Sequence, residues 1–196
     1  MSEEEYHKLE RLNPDRKYEY IAGLVYMMSG GSVGHDRIMR NIGYLLDQHL
    51  FAPCTAFGPE VQVLLSVKKN GKPHYVYPDA TVSCEATDRR SDNQLIESPK
   101  LVVEVLSPST EVRDRGVKFR AYQNCPTIQE IVLVNQFAPY VEIWQRDAEE
   151  PTQWNYRHYG PDETVAFASI DVHVEIGALY RGLDFLLTNS DEDEDE

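Results

Sequence analysis

The chain has 196 residues, of which 41% are hydrophobic and 27% are charged, and its formal net charge at pH 7 is −14. That length is enough for one domain with a full hydrophobic core, and the composition is ordinary for a globular protein. No stretch reaches the roughly 20 consecutive apolar residues that a membrane-spanning helix needs. The acidic beginning MSEEEYHKLE does not have the composition of a signal peptide.

Negative charge is concentrated at the C-terminus, where the last residues read DEDEDE. A block of like charges repels itself and stays solvated. We therefore expect a single domain over residues 1–187 and a disordered acidic tail over 188–196. The rest of the chain is also acidic, so the sequence does not predict the broad positive surface that drives non-specific binding of nucleic acid.

The cysteines are Cys54, Cys84 and Cys125, which are widely spaced and belong to no CxxC or clustered Cys/His pattern. Neither a disulfide framework nor a zinc site is expected from this arrangement. Unpaired thiols are typical of a reducing compartment, so we predict a cytoplasmic protein.

The first elements along the chain are predicted by their end signals. Ser2 and Glu5 have the spacing of a capping box and predict a short helix that ends near residue 11. The segment 17–28, KYEYIAGLVYMM, predicts a hairpin that turns at Ala22-Gly23. Apolar residues at helical spacing predict a helix within 30–50, after a glycine-rich loop.

Strands and further helices follow. Runs of apolar and β-branched residues predict strands at 59–67, 74–84, 101–106, 129–136, 140–146 and 152–160, the last three as an antiparallel meander. Ser109 or Thr110 begins a helix that ends before Pro126, and 172–186 combines a short strand with a terminal helix. These elements predict an α/β fold with a mixed, mostly antiparallel sheet flanked by helices.

A carboxylate stands inside the most apolar strand, because Glu104 is the fourth residue of LVVEVL. A buried carboxylate is costly unless something pairs with it. Asp79, in YVYPDATVSC, belongs to the preceding strand, and two neighbouring carboxylates repel each other unless a cation lies between them. Mg²⁺ held by carboxylates and water fits this arrangement. Lys118, on the next helix, would add a positive group that orients or deprotonates a bound water.

Each of these residues also has a purely structural interpretation. A Pro-Asp pair is common at turns, which would explain Asp79. Glu104 would need no partner on an edge strand with its side chain in water. Lys118 lies four residues after Asp114, the spacing of a helical ion pair. Glu19 could lie on a solvated face of its hairpin.

The pattern resembles the PD-(D/E)xK nuclease superfamily, with Pro78-Asp79 and Glu104-Val105-Leu106 as its motif, although Leu106 stands where the superfamily has lysine. A longer series of matches is similar to the restriction-endonuclease-like Uma family. In chain order it comprises YEYIAGLVYMMSG, His35 at a helix start, YPDATV, PKLVVEVLSPST, Asp114, Lys118, Tyr122 and IQEIVLVN, over roughly residues 5–187. The resemblance implies a restriction-endonuclease-like core and endonuclease activity.

The same resemblance implies roles for individual residues. Asp79 and Glu104 would be ligands of Mg²⁺, or of Mn²⁺, together with the main-chain carbonyl of Val105. Glu19 would be an acid near the metal. The lysine of this family lies on the helix after the strand, which matches Lys118, and it would stand beside the attacking water.

Residues that could contact phosphate share a basic or imidazole side chain near the motif, and they are Arg113, Arg115, Arg120 and His35. The first functional hypothesis is therefore a Mg²⁺-dependent phosphodiesterase on nucleic acid, with an endonuclease on DNA favoured and RNA left open, working as a homodimer as the superfamily often does. The second is a non-catalytic nucleic-acid- or protein-binding module that keeps the nuclease fold. The residue at position 106 and the acidic surface motivate this second hypothesis.

Overall fold

The computed structural model describes residues 1–28, 30–65 and 73–185. The helices are α1 (Glu3–Leu12), α2 (Val33–His49), α3 (Glu111–Arg113), α4 (Phe119–Asn124) and α5 (Ile176–Leu179), with a π-helical turn (Asp114–Lys118) joining α3 to α4. The strands are β1 (Tyr18–Ile21), β2 (Leu24–Met27), β3 (Thr55–Phe57), β4 (Gln62–Leu65), β5 (His74–Val76), β6 (Ala80–Ser83), β7 (Leu95–Ile96), β8 (Pro99–Leu106), β9 (Glu130–Asn135), β10 (Val141–Arg146), β11 (Trp154–Tyr159), β12 (Thr164–Phe167) and β13 (Val172–Glu175). The predicted tail, 188–196, lies outside the described residues.

The strands form two large sheets and a hairpin. The first sheet has the order β2-β1-β5-β4-β7, the second has the order β11-β10-β9-β8-β6-β3, and β12 pairs with β13. The parallel pairs are β8 with β9 and β4 with β7, and the other described pairs are antiparallel. The predicted fold class, a mixed and mostly antiparallel sheet flanked by helices, is confirmed.

Local end signals worked as predicted in the first third of the chain. The Ser2 side chain accepts a hydrogen bond from the Glu5 N–H, and the Glu5 carboxylate reaches back to the Ser2 N–H. Ala22 and Gly23 have φ of 53° and 85°, which the tight turn between β1 and β2 requires. Helix α2 begins after Ser32, whose hydroxyl accepts from the His35 N–H.

The predicted single strand at 74–84 is wrong. The structure has β5 and β6 there, and they belong to different sheets. Pro78 lies between them, and proline has no N–H for a strand ladder and restricts the residue before it. The chain therefore crosses from one sheet to the other at Tyr77-Pro78-Asp79, which places Asp79 at the junction of the two sheets.

The expectation of unpaired cysteines is also wrong, because Cys54 and Cys84 form a disulfide. Strands β3 and β6 pair antiparallel with Thr55 opposite Ser83, so the residues one step beyond face each other. The two cysteines are 30 residues apart, and their pairing follows from strand register rather than from a local motif. Cys125 is free and buried.

Strand β8 lies inside the second sheet, between β9 and β6, and its side chains alternate between two cores. Val103 and Val105 pack in a cluster with α2, whereas Val102 and Leu106 pack in a cluster with α4 and the first sheet. Glu104 points to the same side as Val102 and Leu106, since side chains alternate along a strand. The edge-strand interpretation of Glu104 is thereby excluded.

The C-terminal part is only partly as predicted. Strand β13 is present, but the helix that follows it is one turn long. Short strands β3, β7 and β12 were not predicted, since two to four residues carry too little periodicity to identify a strand. Within residues 1–28, 30–65 and 73–185, no helix is both long enough and apolar enough to cross a membrane.

Candidate active site

Two acids from different sheets meet one lysine in the interior. Lys118 Nζ lies 2.8 Å from Glu19 Oε1 and 2.8 Å from Glu104 Oε1. The three residues are 2%, 0% and 3% exposed, respectively. Glu19 comes from β1, Glu104 from β8 and Lys118 from the π-helical turn. The structural interpretation of Glu19 as a solvated residue is therefore wrong.

The π-helical turn explains the direction of the lysine. The Phe119 N–H reaches back to the Asp114 carbonyl, the i to i+5 hydrogen bond of a π-turn. Asp114 and Lys118 are both buried, so the turn directs both of these polar side chains inward. One turn later, the Tyr122 hydroxyl donates a hydrogen bond to Glu104 Oε1. Such π-turns are frequent at functional sites.

Electrostatics keep the lysine charged. Burial lowers the pKa of Lys118, but the nearby carboxylates of Glu104, Glu19 and Asp114 outweigh burial and raise the pKa well above its ordinary value. Burial raises the pKa of Glu104, and the Lys118 ammonium offsets part of that rise. Lys118 is therefore a fixed positive charge at neutral pH and has no lone pair with which to accept a proton.

Asp79 lies where β8 extends beyond its neighbour β6. The first paired residue of β6 is Ala80, opposite Val103, so the N–H of Val105 has no partner on β6. Asp79 Oδ2 accepts a hydrogen bond from this N–H at 2.7 Å. His35 Nε2 lies 3.3 Å from the same oxygen. The hydrogen bond to Asp79 raises the pKa of His35, burial opposes the rise, and the Val105 carbonyl adds to it.

Lys118, Glu104, Asp114, Asp79 and His35 line one cavity of about 260 Å³, whereas Glu19 is not among its lining residues. Its charged residues are Asp79, Glu104, Asp114, Arg113 and Lys118, so that three carboxylates face two fixed cations. His35 is at the wall and also lines a neighbouring cavity of about 760 Å³. When His35 is neutral, the lining carries one excess negative charge, which favours the entry of a cation; protonation of His35, whose pKa is raised, would cancel this excess.

Several buried polar atoms around the lysine lack hydrogen-bond partners among the described residues. They are Glu19 Oε2, Arg113 Nε and Asp114 Oδ1. Glu19 Oε2 and Arg113 Nε are 3.5 Å apart, an ion pair without hydrogen-bond geometry. Buried polar groups in native proteins are normally satisfied. Such atoms beside a cavity therefore indicate that they bind a ligand, an ion or water.

The donor set suits a hard divalent ion. Asp79 and Glu104 offer carboxylate oxygens, and the Val105 carbonyl lies on the same side of β8 as the N–H that binds Asp79. Within the described residues, no group of three or more His, Cys, Asp or Glu side chains could hold a metal ion by itself. A metal here would therefore be held by two carboxylates, a main-chain oxygen and water, which is a common arrangement for Mg²⁺.

The predicted phosphate contacts divide into two groups. Arg113 lines the cavity. Arg115 instead forms ion pairs with Glu142 and Glu111, and Arg120 is exposed and is not among the cavity residues. The structure thus brings one of the three arginines to the cavity.

Other groups at the site were missed at the level of the sequence. Hydroxyl and amide side chains line the cavity, namely Ser32, Ser107, Ser109, Thr110 and Gln136. The run SPST after β8 is the signal that could have indicated Ser107, Ser109 and Thr110. The hydrogen bond from the Tyr77 N–H to Glu19 Oε1, at 3.0 Å, had no such signal, because it joins residues 58 positions apart.

Comparison with known proteins shows the family of the chain. The model of the Uma2 family, described as a putative restriction endonuclease, matches residues 3–174. An uncharacterized protein of Synechocystis sp. is 34% identical over 186 residues, which is 94% of this chain and 94% of that protein. A second uncharacterized Synechocystis protein is 29% identical over 140 residues, or 70% of this chain and 76% of its own length.

A solved structure has a similar fold. The crystal structure of a putative nuclease of the DUF820 family from Anabaena variabilis aligns with a TM-score of 0.61 and 19% identity. The alignment covers 85% of this chain and 90% of that chain. At this identity, the likeness supports the fold that both chains share.

Proposed function

We propose that this chain, which belongs to the Uma2 family described as putative restriction endonucleases, is a Mg²⁺-dependent endonuclease that hydrolyses phosphodiester bonds in DNA. The observation that carries the proposal is the fully buried Lys118, held between Glu19 and Glu104 beside the Asp79 cavity. Burying a charged lysine against two acids is costly for stability alone. A catalytic use of the group explains why the protein keeps it.

Asp79, Glu104 and the Val105 carbonyl would hold the metal. When bound, Mg²⁺ would lower the pKa of a coordinated water and neutralise charge on the phosphate. Lys118 would keep its positive charge throughout and would stand beside the attacking water, where that charge stabilises the negative charge that develops as the water attacks. Glu19 and the Tyr122 hydroxyl would position Lys118 and Glu104, respectively, through the contacts described above.

His35 would contribute at the wall of the cavity. Its Nε2 lies beside Asp79, so it could contact phosphate when protonated or offer a nitrogen ligand when neutral. A nitrogen donor favours Mn²⁺ relative to Mg²⁺, which makes Mn²⁺ the alternative cofactor in the proposal. A side chain on Gly31 would collide with the ring, because its Cβ would lie 2.9 Å from His35 Nδ1.

Substrate contacts would begin with Arg113, which lines the cavity. Arg115 and Arg120 remain predicted contacts for phosphates outside the cavity, where Arg115 would have to share its charge with Glu142 and Glu111. A homodimer with two such sites would allow both strands of a duplex to be cut. The cytoplasmic location was predicted from unpaired thiols, and the Cys54–Cys84 disulfide removes that support for it.

A non-catalytic nucleic-acid- or protein-binding module that keeps the nuclease fold is the second candidate. Two observations favour it: Leu106 is packed in the core at the position of the superfamily lysine, and Lys118 has carboxylate partners within the protein. This candidate requires no metal-dependent chemistry, and so it differs from the first in a measurable way.

The experiment is a cleavage assay across double-stranded, single-stranded and branched DNA and RNA, with Mg²⁺, Mn²⁺ or EDTA. We expect metal-dependent cleavage by the wild type that Lys118→Ala abolishes. Lys8→Ala is the matched control, since Lys8 is exposed on α1, away from the cavity. Cleavage that persists in Lys118→Ala at the wild-type rate would contradict the proposal. Binding of nucleic acid without cleavage or metal uptake would favour the second candidate, and sedimentation of the wild type tests the dimer.

A further inference from the structure

Asp114 is a buried carboxylate that none of the roles above uses. It is 2% exposed, it lines the 260 Å³ cavity, and its Oδ1 has no hydrogen-bond partner among the described residues. A carboxylate oxygen in that situation has lost its hydration without a replacement, which is unfavourable. Asp114 Oδ1 is therefore available to accept a hydrogen bond from a molecule in the cavity.

The distance from Asp114 to Lys118 indicates that this molecule can be a water. Asp114 Oδ1 lies 3.8 Å from Lys118 Nζ. That separation is too long for a hydrogen bond but can be bridged by one water. Two Nζ hydrogens point to Glu19 and Glu104, each at 2.8 Å, which leaves the third for such a water. The water would accept from Lys118 and donate to Asp114.

We propose that Asp114 is a catalytic residue that binds and deprotonates the attacking water, with Lys118 as the group that holds the water oxygen. This assignment rests on the proposed phosphodiesterase function. In the step, the water oxygen forms a bond to phosphorus and its proton passes to Asp114 Oδ1. The ester P–O bond breaks, its electron pair leaves with the sugar oxygen, and that oxygen takes a proton from solvent.

The protonation states agree with this division of labour. Lys118 is surrounded by carboxylates and stays protonated, so it cannot accept the proton of the water. Burial raises the pKa of Asp114, partly offset by Lys118 and by a hydrogen bond from Thr110. A carboxylate with a raised pKa is a better base near neutral pH than one in water. Asp114 also differs from Asp79 and Glu104 in its position on the helix side of the cavity.

Asp114→Asn tests the assignment with readouts for chemistry, metal and stability. We expect kcat to fall by about 10²–10⁴-fold with KM unchanged, because a general base is lost. Mg²⁺ affinity measured by calorimetry should stay at the wild-type value, whereas Asp79→Asn should weaken it. The melting temperature in EDTA should equal or exceed that of the wild type, since an unfavourable buried charge is removed. Asp47→Asn, the same substitution at an exposed position of α2 outside the cavity, is the matched control.

Asp114→Ala provides a second test, because formate can enter the space left by the carboxylate. We expect added formate to restore part of the lost rate in Asp114→Ala and to leave the wild type unchanged. Wild-type rates in Asp114→Asn, or a large drop in its melting temperature in EDTA, would overturn the role of Asp114 while leaving the nuclease function standing. A wild type that binds no Mg²⁺ and cleaves none of the nucleic acids would overturn both.

Discussion

Buried carboxylates occur in two settings in this protein, and the difference between them separates structure from function. Glu130 is 0% exposed and accepts hydrogen bonds from the N–H groups of Ala168 and Ser169, at 3.1 and 3.0 Å. Asp88 is 3% exposed and accepts from one serine hydroxyl and two backbone N–H groups. Both carboxylates tie loops to strands, and neither is among the residues of the cavity.

The carboxylates around Lys118 are arranged differently. Glu19, Glu104 and Asp114 converge on this one cation, and Glu19 and Asp114 each retain an oxygen without a hydrogen-bond partner among the described residues. Each structural carboxylate accepts two backbone N–H groups, whereas Asp79 and Glu19 accept one each. Several acids around one lysine instead leave acceptors available to an ion or a water. Substitutions of the carboxylates around Lys118 should therefore lower cleavage activity, whereas substitutions of Glu130 or Asp88 should lower stability.

Loss of Glu104 should have the largest effect, and it should be on activity. We expect Glu104→Gln to lower the cleavage rate by about 10³-fold or more, because a charged metal ligand is lost. Lys118 keeps Glu19 as a partner at 2.8 Å, so the free energy of unfolding in EDTA should change little. Cleavage and urea denaturation on the same preparation check this, and a variant that unfolds far more easily in EDTA would mean that Glu104 is structural.

Loss of the lysine should affect stability as well as activity. Lys118→Met leaves Glu19 and Glu104 facing each other without their buried cation. Removing one partner of a buried ion pair costs about 3–5 kcal/mol of unfolding free energy. Urea denaturation at pH 7 in EDTA measures it, with Lys8→Met as control. A loss equal to that of the control would show that the acids protonate and need no cation.

The structural setting should give the opposite pattern. In Glu130→Gln, one amide oxygen can still accept, but the NH₂ group would face the second backbone N–H. An unsatisfied buried donor costs about 1–3 kcal/mol, so the variant should be less stable by that amount. Metal-dependent cleavage at a temperature where the variant is folded should match the wild type. A selective loss of cleavage would place Glu130 in the functional group.

The smallest effect should appear in the pH dependence of stability in EDTA. Burial raises the pKa of Glu104 and Asp114 above their ordinary values of 4.5 and 3.8. The native state therefore binds more protons than the unfolded state above those values, and stability falls as pH rises through this window. Burial raises the pKa of Glu130 in the same direction, so the cavity's share is the part that substitution removes. Lys118 stays protonated here and adds no slope.

Melting curves from pH 5 to pH 8 measure this slope. Between pH 5 and pH 8, we expect the melting temperature of the double variant Glu104→Gln, Asp114→Asn to change by about 2–4 °C less than that of the wild type. This difference corresponds to about 1 kcal/mol for a chain of this size. Identical curves for the wild type and the double variant would show that these acids do not titrate in this range.

Saturating Mg²⁺ should raise the melting temperature of the wild type, because the ion binds the native state.

The sequence was informative wherever the deciding interactions are local. The capping box, the Ala22-Gly23 turn and the apolar periodicity of α2 each depend on residues within a few positions, and all three are present in the structure. Glu104 could be recognised as a candidate site residue from the sequence, because a charged residue inside a run of apolar residues such as LVVEVL is unusual. Lys118 was proposed from its position on the helix after the Glu104 strand and from the family resemblance, and the structure brings it to Glu104.

Only the tertiary structure decided which groups pair across elements. Glu19 faces Lys118 because β1 and β8 belong to two different sheets that meet in one core, and no sequence spacing records that packing. The register of β3 and β6 likewise places Cys54 opposite Cys84. Arg115 forms an ion pair with Glu142 and does not line the cavity. Asp114 had the spacing of an ordinary helical ion pair, but the π-turn buries it with Oδ1 3.8 Å from Lys118 Nζ, and this oxygen has no hydrogen-bond partner in the part of the chain that the structure describes. A long-range pairing depends on the summed packing of many side chains, whereas a turn or a cap depends on a few neighbours, so the sequence alone specified the candidate residues and the fold specified how they act together.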